Sequence, residues 1–197
     1  RILEPNGVTF AGHRGPNEER SEFLASHDVW FRNATAETGP DGALWIVDMY
    51  RFVIEHPEWI DDELEKTLDL RSGHDKGRIY RVYPVRKKPR PIPRLDRLDT
   101  AGLVAALDSP NGWQRDTAKK LIVTSNKRDA IPALEDMANS HQSETARINA
   151  RWTLDGLDAL NSELITSGLR DKHPRVRTTA IRLAEGDKQF TKQLLAM

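Results

Sequence analysis

The polar residues that end one apolar segment are the strongest candidates for chemistry in this sequence. The segment T-G-P-D-G-A-L-W-I-V-D-M-Y-R finishes on Asp48, Tyr50 and Arg51. An aspartate beside an arginine can orient a substrate hydroxyl or hold a catalytic base in position. The alternative is structural, with Asp48 accepting hydrogen bonds from neighbouring backbone and Arg51 pairing with it. We take Asp48 and Arg51 as catalytic candidates, and Tyr50 and Arg51 as substrate-binding candidates.

Two histidines are the best candidates for a general base. His56 lies near Glu55 and Glu58, and His74 is followed by Asp75. Imidazole is suited to proton transfer near neutral pH. Both histidines flank a predicted helical insertion, however, which favours a position outside an active site. We take His56 as a catalytic candidate and His74 as a substrate-binding candidate.

Other chemistries lack their sequence signals. The chain has no cysteine, which excludes disulfides, thiolate metal sites and covalent haem attachment within it. It has no H-E-x-x-H motif, EF-hand loop, G-x-S-x-G motif or phosphate-binding loop, so we predict no metal site. Lys plus Arg and Asp plus Glu both total 30, and this balance gives no reason to expect nucleic acid or an anionic membrane as partner. No apolar run approaches the roughly 20 residues that a membrane helix needs.

Short β-strands are the elements that would position these residues. Strands are predicted at residues 7–10, 28–35, 43–49 and 77–84. The sequence G-P-D-G before the third strand predicts a tight turn, because Pro presets φ and Gly accepts positive φ. The third strand, A-L-W-I-V-D-M, is apolar on both faces, which predicts a position inside a stack of sheets.

Two further segments complete this half of the chain. Residues 56–70 predict an amphipathic helix inserted between strands, because apolar residues recur at helical spacing. These residues are Trp59, Ile60, Leu64 and Leu68. Residues 86–98, R-K-K-P-R-P-I-P-R-L-D-R-L, predict a stiff, solvated linker, since three prolines deny it helical and ladder hydrogen bonds. Phosphate binding by its cations is the alternative.

From residue 99 the hydrophobic period becomes helical and the segment repeats. The blocks R-D-T-A-K-K-L-I, R-I-N-A-R-W-T-L and R-T-T-A-I-R-L-A begin at Arg115, Arg147 and Arg177, which lie 32 and then 30 residues apart. Each block follows another apolar helical segment, so each unit is a helical hairpin. Stacked hairpins bury the faces that a single hairpin leaves open. We predict HEAT-like repeats at about 99–125, 129–157 and 161–186, with a truncated fourth from 187.

The three repeated arginines have two interpretations. They could form a basic ladder for a protein partner. They could instead bond the turn or the acid of an adjacent repeat, since Asp116, Asp155 and Asp171 are close in sequence. We favour the structural interpretation.

The longest motifs resemble a known family. F-L-A-S-H-D-V-W-F-R, T-G-P-D-G-A-L-W-I-V-D-M-Y-R-F-V-I-E-H-P-E-W-I and D-L-R-S-G-H-D-K-G-R-I-Y-R-V-Y-P are similar to segments of the membrane-bound dehydrogenases of planctomycetes, a PVC-type haem-binding family. L-D-S-P-N-G-W-Q-R-D-T-A and W-T-L-D-G-L continue the resemblance, which covers nearly the whole chain. The chain departs from it at Val29, where the family pattern D-N-W-F-R has Asn.

The resemblance implies a quinoprotein-like β-propeller, then HEAT repeats, then a cytochrome c domain. The expected fold class is an α+β multidomain fragment. Residues 1–85 would be the last blade or blades of the propeller with a helical insertion at about 56–70, residues 86–98 the linker, and residues 99–197 an α-solenoid of HEAT-like hairpins. The chain starts at Arg1 and ends in a helical pattern, so we expect a piece of a longer protein.

The resemblance also implies a function for the longer protein. It would oxidise a sugar or alcohol, use pyrroloquinoline quinone (PQQ), and pass electrons to haem c in a periplasmic or extracytoplasmic, membrane-associated setting. Its partners would be the missing propeller blades, the cytochrome c domain, a carbohydrate substrate and a protein on the HEAT repeats. This chain alone is expected to bind no cofactor and to be inactive. The alternative is a non-catalytic propeller that binds carbohydrate or protein, followed by a HEAT interaction scaffold.

Overall fold

The computed structural model describes residues 2–185 and 187–195. The chain divides into two compact units. Asn17–Pro93 form the first, called here the sheet unit, and Arg1–Pro16 with Arg94–Met197 form the second, called the helical unit. The predicted domain of residues 1–85 differs from this division at its start, because the first segment groups with the helices.

The strands of the described residues form two antiparallel sheets. Strands β1 (Ile2–Asn6) and β2 (Thr9–His13) pair as a hairpin in the helical unit. Strands β3 (Asn33–Thr38), β4 (Leu44–Asp48) and β5 (Arg78–Val82) form the sheet of the sheet unit, with β4 at the centre. The predicted strands at 43–49 and 77–84 are thus confirmed, whereas the prediction missed β1.

The loop between β3 and β4 is the tight turn that the sequence predicts. The Gly42 N–H donates to the Gly39 carbonyl at 3.0 Å, and the Gly39 N–H donates to the Ala43 carbonyl at 2.9 Å. Gly42 has φ +81, a conformation that costs a side-chain-bearing residue steric strain. The turn fixes the register that aligns β3 with β4.

Strand β3 starts later than the predicted strand at 28–35. Asp28 opens a turn instead, because its carboxylate accepts from the Trp30 N–H and its carbonyl accepts from the Phe31 N–H, both at 3.0 Å. A short polar side chain that bonds the backbone two residues ahead competes with strand formation. The turn places Arg32 beside the end of β4, where its carbonyl accepts from the Met49 N–H at 2.9 Å.

The propeller prediction is wrong. A propeller blade is a four-stranded sheet, whereas the strands of the described residues form sheets of two and three strands. The apolar second face of β4 misled the prediction, because no second sheet of the described residues covers it. Val47 and Met49 are 37% and 42% exposed, and the Trp45 ring packs closely against its own turn at Gly39.

The predicted helical insertion at 56–70 is also shorter than expected. It consists of a 3-10 turn, Pro57–Trp59, and one α-helical turn, α1 (Asp62–Glu65). Asp61 separates them in an extended conformation and caps α1 by accepting from the Glu63 and Leu64 N–H groups. Trp59 is 81% exposed, so it is not a core residue.

The helical unit contains paired helices joined by short turns. The first helix of each pair is α2 (Thr100–Ala106), α4 (Ile131–Ser140) or α6 (Ser162–Leu169), and the second is α3 (Gly112–Thr124), α5 (Glu144–Gly156) or α7 (Pro174–Leu183). Helix α8 (Thr191–Leu195) follows a 3-10 turn at Lys188–Phe190. The end of the predicted fourth repeat, Ala196 and Met197, lies outside the described residues.

Helix neighbours have the relationships that stacked hairpins require. Within pairs, α2 contacts α3, α4 contacts α5 and α6 contacts α7; between pairs, α3 contacts α5, α5 contacts α7, α2 contacts α4 and α4 contacts α6. The small residues Ala118, Ala150 and Ala180 are fully buried at one repeated position. Gly168 lets α6 approach α7, since a Cβ there would lie 2.9 Å from the Ala180 Cβ. The buried apolar residues form two core clusters, one from Leu95 to Leu164 and one that joins α6, α7 and Phe190.

Every helix in residues 2–185 and 187–195 is too short or too polar to cross a bilayer.

Candidate functional site

Asp48, the leading catalytic candidate, is a buried anchor at the end of β4. Only 1% of the surface of this residue is exposed to solvent. The backbone N–H groups of Arg32 and Tyr50 donate to its Oδ1 at 2.8 and 3.0 Å. The Arg78 guanidinium donates to its Oδ2 through Nε at 2.9 Å, and a terminal nitrogen of Arg78 lies 2.8 Å from the same oxygen as an ion pair. Three hydrogen bonds and an ion-pair contact thus occupy the two oxygens, which is close to the full acceptor capacity of a carboxylate.

These donors also keep Asp48 ionised. Burial raises the pKa of the Asp48 carboxyl, but the hydrogen bonds from Arg32, Arg78 and Tyr50 outweigh burial, so its pKa lies below the ordinary value of 3.8. A general base works best with a pKa near the operating pH. The low pKa and the saturated oxygens suit Asp48 to holding three chain segments together rather than to proton transfer.

Arg78 joins this anchor to its surroundings. Its guanidinium bridges Asp48 and Asp28, with 3.1 Å to the Asp28 Oδ2. The same group lies 3.9 Å from the centre of the Tyr50 ring and 5.4 Å from that of Tyr80, a cation–π arrangement. Arg78 is therefore the arginine partner of Asp48, a role that the sequence interpretation gave to Arg51.

Tyr50 follows the anchor in a strained backbone conformation. Its φ is +54, in the left-handed region that non-glycine residues rarely adopt. Its ring stacks near Trp30 at a centroid distance of 5.5 Å. Gly73, with φ +83, allows the chain to pass the Tyr50 carbonyl, because a Cβ there would lie 2.3 Å from that oxygen. The ring contacts and the Asp48 hydrogen bond hold Tyr50 in place.

Among the described residues, none of the remaining candidates bonds the Asp48 carboxylate. Arg51 is half-buried, and among the described residues its Nη1 is buried without a hydrogen-bond partner. His56 caps the 3-10 turn through Nδ1, which accepts from the Glu58 N–H at 3.3 Å, and its side chain is 70% exposed. His74 is exposed, with Nδ1 3.1 Å from the Arg71 carbonyl. Their catalytic and substrate-binding roles stay predictions, and Asp48 and Tyr50 are the two candidates that the structure joins directly.

A second buried carboxylate mirrors Asp48 at the other end of β4. Asp41 is 2% exposed and accepts from the Ala43 N–H and from the Trp45 indole N–H, both at 3.1 Å. It also pairs with the guanidinium of Arg81 on β5. Burial raises the pKa of Asp41, but the bonds from Ala43, Trp45 and Arg81 outweigh it, so the pKa lies below its ordinary value.

The sequence interpretation gave Asp41 only a turn role and missed Arg78 and Arg81. The missed signal is a matched spacing, with an acid near each end of β4 and an arginine near each end of β5. The pair Asp48 and Arg78 face each other in the strand register. Each acid meets the arginine at the nearer end of β5, so the two pairs fix how β5 aligns with β4.

The repeated arginines of the helical unit bond the turn that precedes their own helix. Arg115 donates to the Ser109 carbonyl at 2.6 Å, Arg147 to the His141 carbonyl at 2.7 Å and Arg177 to the Asp171 carbonyl at 2.9 Å. In each case the acceptor lies six residues upstream. This confirms the structural interpretation of the three positions.

Arg147 has an acid of the next repeat as an additional partner. Its Nε and a terminal nitrogen donate to the two Asp171 oxygens, each at 2.8 Å, and the side chains are 4% and 10% exposed. Burial raises the pKa of Asp171, but the bonds from Arg147 and His173 outweigh it and place the pKa below its ordinary value. The predicted acids Asp116 and Asp155 make no ion pair with these arginines in the described residues.

Arg151 is a buried arginine that the helical period did not reveal. It is 1% exposed and donates to the carbonyls of Ala138, Leu164 and Arg147 at 2.6 to 3.2 Å. Ala138 lies in the last turn of α4, where carbonyls lack a partner within the helix. Burial and the nearby Arg147 charge lower the pKa of Arg151. Its role is to satisfy backbone acceptors between repeats.

No group of three or more His, Cys, Asp or Glu side chains suited to a metal ion occurs in residues 2–185 and 187–195.

Residues 1–86 match a family described as a domain of unknown function, DUF7133. The matched segment includes β1 to β5, the Asp48 anchor and the candidates from Asp48 to His74. No curated protein and no solved structure matches the chain.

Proposed function

We propose that this chain is a non-catalytic scaffold and binding module that works beside other domains. The observation that carries the proposal is the environment of Asp48. Its two oxygens accept three hydrogen bonds and form an ion pair with Arg78, and the residue is 1% exposed. A buried carboxylate that is bonded in this way is poorly placed to accept a substrate proton.

The helical unit supports the same proposal. Its charged side chains at the repeated positions are used internally, to bond turns and helix ends. Stacked helical hairpins with such internal bonds form extended surfaces that bind partners without chemistry. In this proposal the helical unit holds its neighbours at a fixed spacing and presents its outer helix faces to a protein.

Oxidation of a sugar or alcohol with electron transfer through PQQ to haem c stays a prediction for a longer extracytoplasmic protein. In the proposal, other domains carry that reaction. The DUF7133 match describes a domain of unknown function and assigns no reaction.

The test is a dye-linked oxidation assay with the purified 197-residue chain. A panel of sugars and alcohols is supplied with PQQ and an electron-accepting dye. We expect no turnover above the enzyme-free background and no saturable PQQ binding by fluorescence titration. Turnover that His56→Ala or Arg51→Met abolishes, in a chain that remains folded by circular dichroism, would overturn the proposal.

A further inference from the structure

The sheet of the sheet unit has two edges of different character. Strand β3, one edge, has a register irregularity between Asn33 and Thr35. Such bulges twist an edge and hinder pairing with another chain. Strand β5, the other edge, pairs with β4 in unbroken register. In the described residues no strand pairs with its outer side, and Ile79 is 65% exposed.

Hydrogen-bond alternation shows which groups of β5 face outward. The Gly39 N–H bonds the Ala43 carbonyl, so the pairs Glu37–Trp45 and Thr35–Val47 carry the ladder bonds toward β3. The intervening residues of β4 therefore bond β5. Their partners are Arg78, Tyr80 and Val82. The N–H and C=O groups of Ile79 and Arg81 consequently point to the open side.

Charged side chains do not guard this edge. Natural edges are often protected by free charges that repel an incoming strand. On β5 the two arginines are turned back toward β4, where Arg78 binds Asp48 and Arg81 binds Asp41. The two side chains between them, Ile79 and Tyr80, are 65% and 36% exposed and carry no charge. The edge is thus regular, open and apolar at its centre.

A cavity lies on one face of the sheet beside this edge. Its volume is about 150 Å³ and its lining residues are Leu24, Ala25, Ser26, Phe31, Tyr80 and Val82. An apolar cavity of this size accommodates a group as large as benzene. A strand that paired with β5 would place the residue opposite Tyr80 on this same face.

The chain that continues from the edge is strongly basic. From Lys76 to Arg90 the sequence has seven Lys and Arg residues and no Asp or Glu. Arg86, Lys87, Lys88 and Arg90 are exposed, and no ion pair is formed by these four among the described residues. A second copy of this chain would bring like charges together at the edge, whereas an acidic segment would meet complementary charge.

The geometry points to β5 as a docking strand for an extended acidic peptide segment of a partner protein. The segment adds as a fourth strand to the Ile79 and Arg81 backbone groups. One bulky apolar side chain enters the cavity beside Tyr80, and the acidic residues face the cations at residues 86–90. This site lies in the sheet unit and goes beyond the scaffold role proposed for the helical unit.

The test uses the full chain and a fluorescein-labelled synthetic peptide in which glutamate alternates with valine around one phenylalanine. Fluorescence anisotropy should show saturable binding that weakens with added salt. Ile79→Pro should weaken binding about tenfold, because it removes an outward N–H and leaves the ladder with β4 intact. Lys87→Glu with Lys88→Glu should weaken it by a similar factor, and replacing the phenylalanine by alanine should weaken it further.

Peptide variants keep the test independent of protein folding. N-methyl groups on the peptide edge that faces β5 should abolish binding, whereas N-methyl groups on its other edge should leave affinity unchanged. Binding that depends on Lys87 and Lys88 but tolerates both N-methylation patterns would overturn strand addition and show charge attraction alone. Absence of saturable binding would overturn the proposal. So would a dimer, seen by analytical ultracentrifugation, that Ile79→Pro dissociates, because a second copy would then occupy the edge.

Discussion

The two units of this protein bury charge of opposite sign. In the sheet unit the buried groups are acids: Asp41 and Asp48 are 2% and 1% exposed, and their arginine partners are partly exposed. In the helical unit the buried groups are arginines: Arg147 and Arg151 are 3% and 1% exposed. Both arrangements satisfy backbone groups that regular structure leaves unpaired.

The difference follows from which backbone groups each architecture leaves free. A turn that leads into a strand, and a chain that bends at a strand end, present N–H groups, which need an acceptor. Helix C-terminal ends and the turns after them present carbonyls, which need a donor. Aspartate serves the first case through Ala43, Arg32 and Tyr50, and arginine serves the second through Ala138 and His141. The sign of a buried charge thus indicates the backbone group that it satisfies.

The largest expected effect is the loss of the Asp48 anchor. Asp48→Ala should lower the free energy of unfolding of the sheet unit by about 4 kcal/mol, because it leaves two backbone N–H groups and Arg78 without their acceptor. Urea unfolding followed by amide exchange of residues 43–48 measures this. The matched control is Asp75→Ala, whose exposed carboxylate binds Lys76; we expect a change within about 0.5 kcal/mol. Equal effects of the two substitutions would contradict the account.

The next effect belongs to the helical unit. Arg147→Met should cost about 3 kcal/mol, because it leaves the Asp171 carboxylate, whose side chain is 10% exposed, without its ion partner. Arg177→Met, at the equivalent position with turn carbonyls as acceptors, should cost about 1 kcal/mol. Circular dichroism at the helical band during urea unfolding measures both. In a double-mutant cycle, the effects of Arg147→Met and Asp171→Asn on the free energy of unfolding should be coupled. Additive effects would mean that the ion pair does not stabilise the helical unit.

Lowering the pH should destabilise the two units to different extents, and this difference should be smaller than the effects of the substitutions above. Asp41 and Asp48 in the sheet unit, and Asp171 in the helical unit, have folded-state pKa values below the ordinary 3.8. Their contribution to stability is complete above that value and is lost as pH falls through it toward the folded-state pKa. Two of these three acids lie in the sheet unit, so its amide NMR signals, such as that of Ile46, should disappear at higher pH than that of Ala150 as acid is added. The reverse order would contradict this reasoning.

The smallest expected effect is a gain in the free energy of unfolding rather than a loss. Partial desolvation and the neighbouring Asp158 charge raise the pKa of Asp155, an exposed residue near the C-terminal end of α5, where the helix dipole also disfavours an anion. A raised pKa means that ionisation above the ordinary value costs stability. Asp155→Asn should therefore stabilise the helical unit at neutral pH by up to about 0.5 kcal/mol in urea unfolding. Asp136→Asn, an exposed acid on α4, serves as the control, and an equal gain there would remove the special role of Asp155.

Local patterns predicted much of the element order. A run apolar on both faces located β4, alternation located β5, and the G-P-D-G sequence located the turn before β4. The repeated blocks located the paired helices from α2 to α7, and the Arg115, Arg147 and Arg177 spacing indicated a shared role in the turns. These features depend on residues that are close together in the sequence, so the local pattern of apolar and polar residues shows them directly.

Long-range pairing was not visible in the same way. Asp48 and Arg78 are separated by 30 positions, a spacing that marks no pair. The sequence named Asp171 as a candidate acid for the repeated arginines, but its 24-position separation from Arg147 did not show which arginine it binds. The apolar residues on both faces of β4 suggested a stack of sheets, but Trp45 covers its own turn and the strand needs no second sheet. Asp61 interrupts the predicted helix at 56–70, because an N-cap residue has a non-helical backbone conformation and lies before the helix that it starts.

A pH titration of the Asp48 carboxyl carbon by NMR, in the full chain, tests the central claim most directly. The account predicts a midpoint below the ordinary value of 3.8, because Asp48 is an ionised anchor for Arg32, Tyr50 and Arg78. It also predicts that sugars and PQQ leave the carbon signal unchanged. A midpoint near neutral pH, or a shift of the signal on adding a sugar, would contradict the account and return Asp48 to the role of a catalytic base.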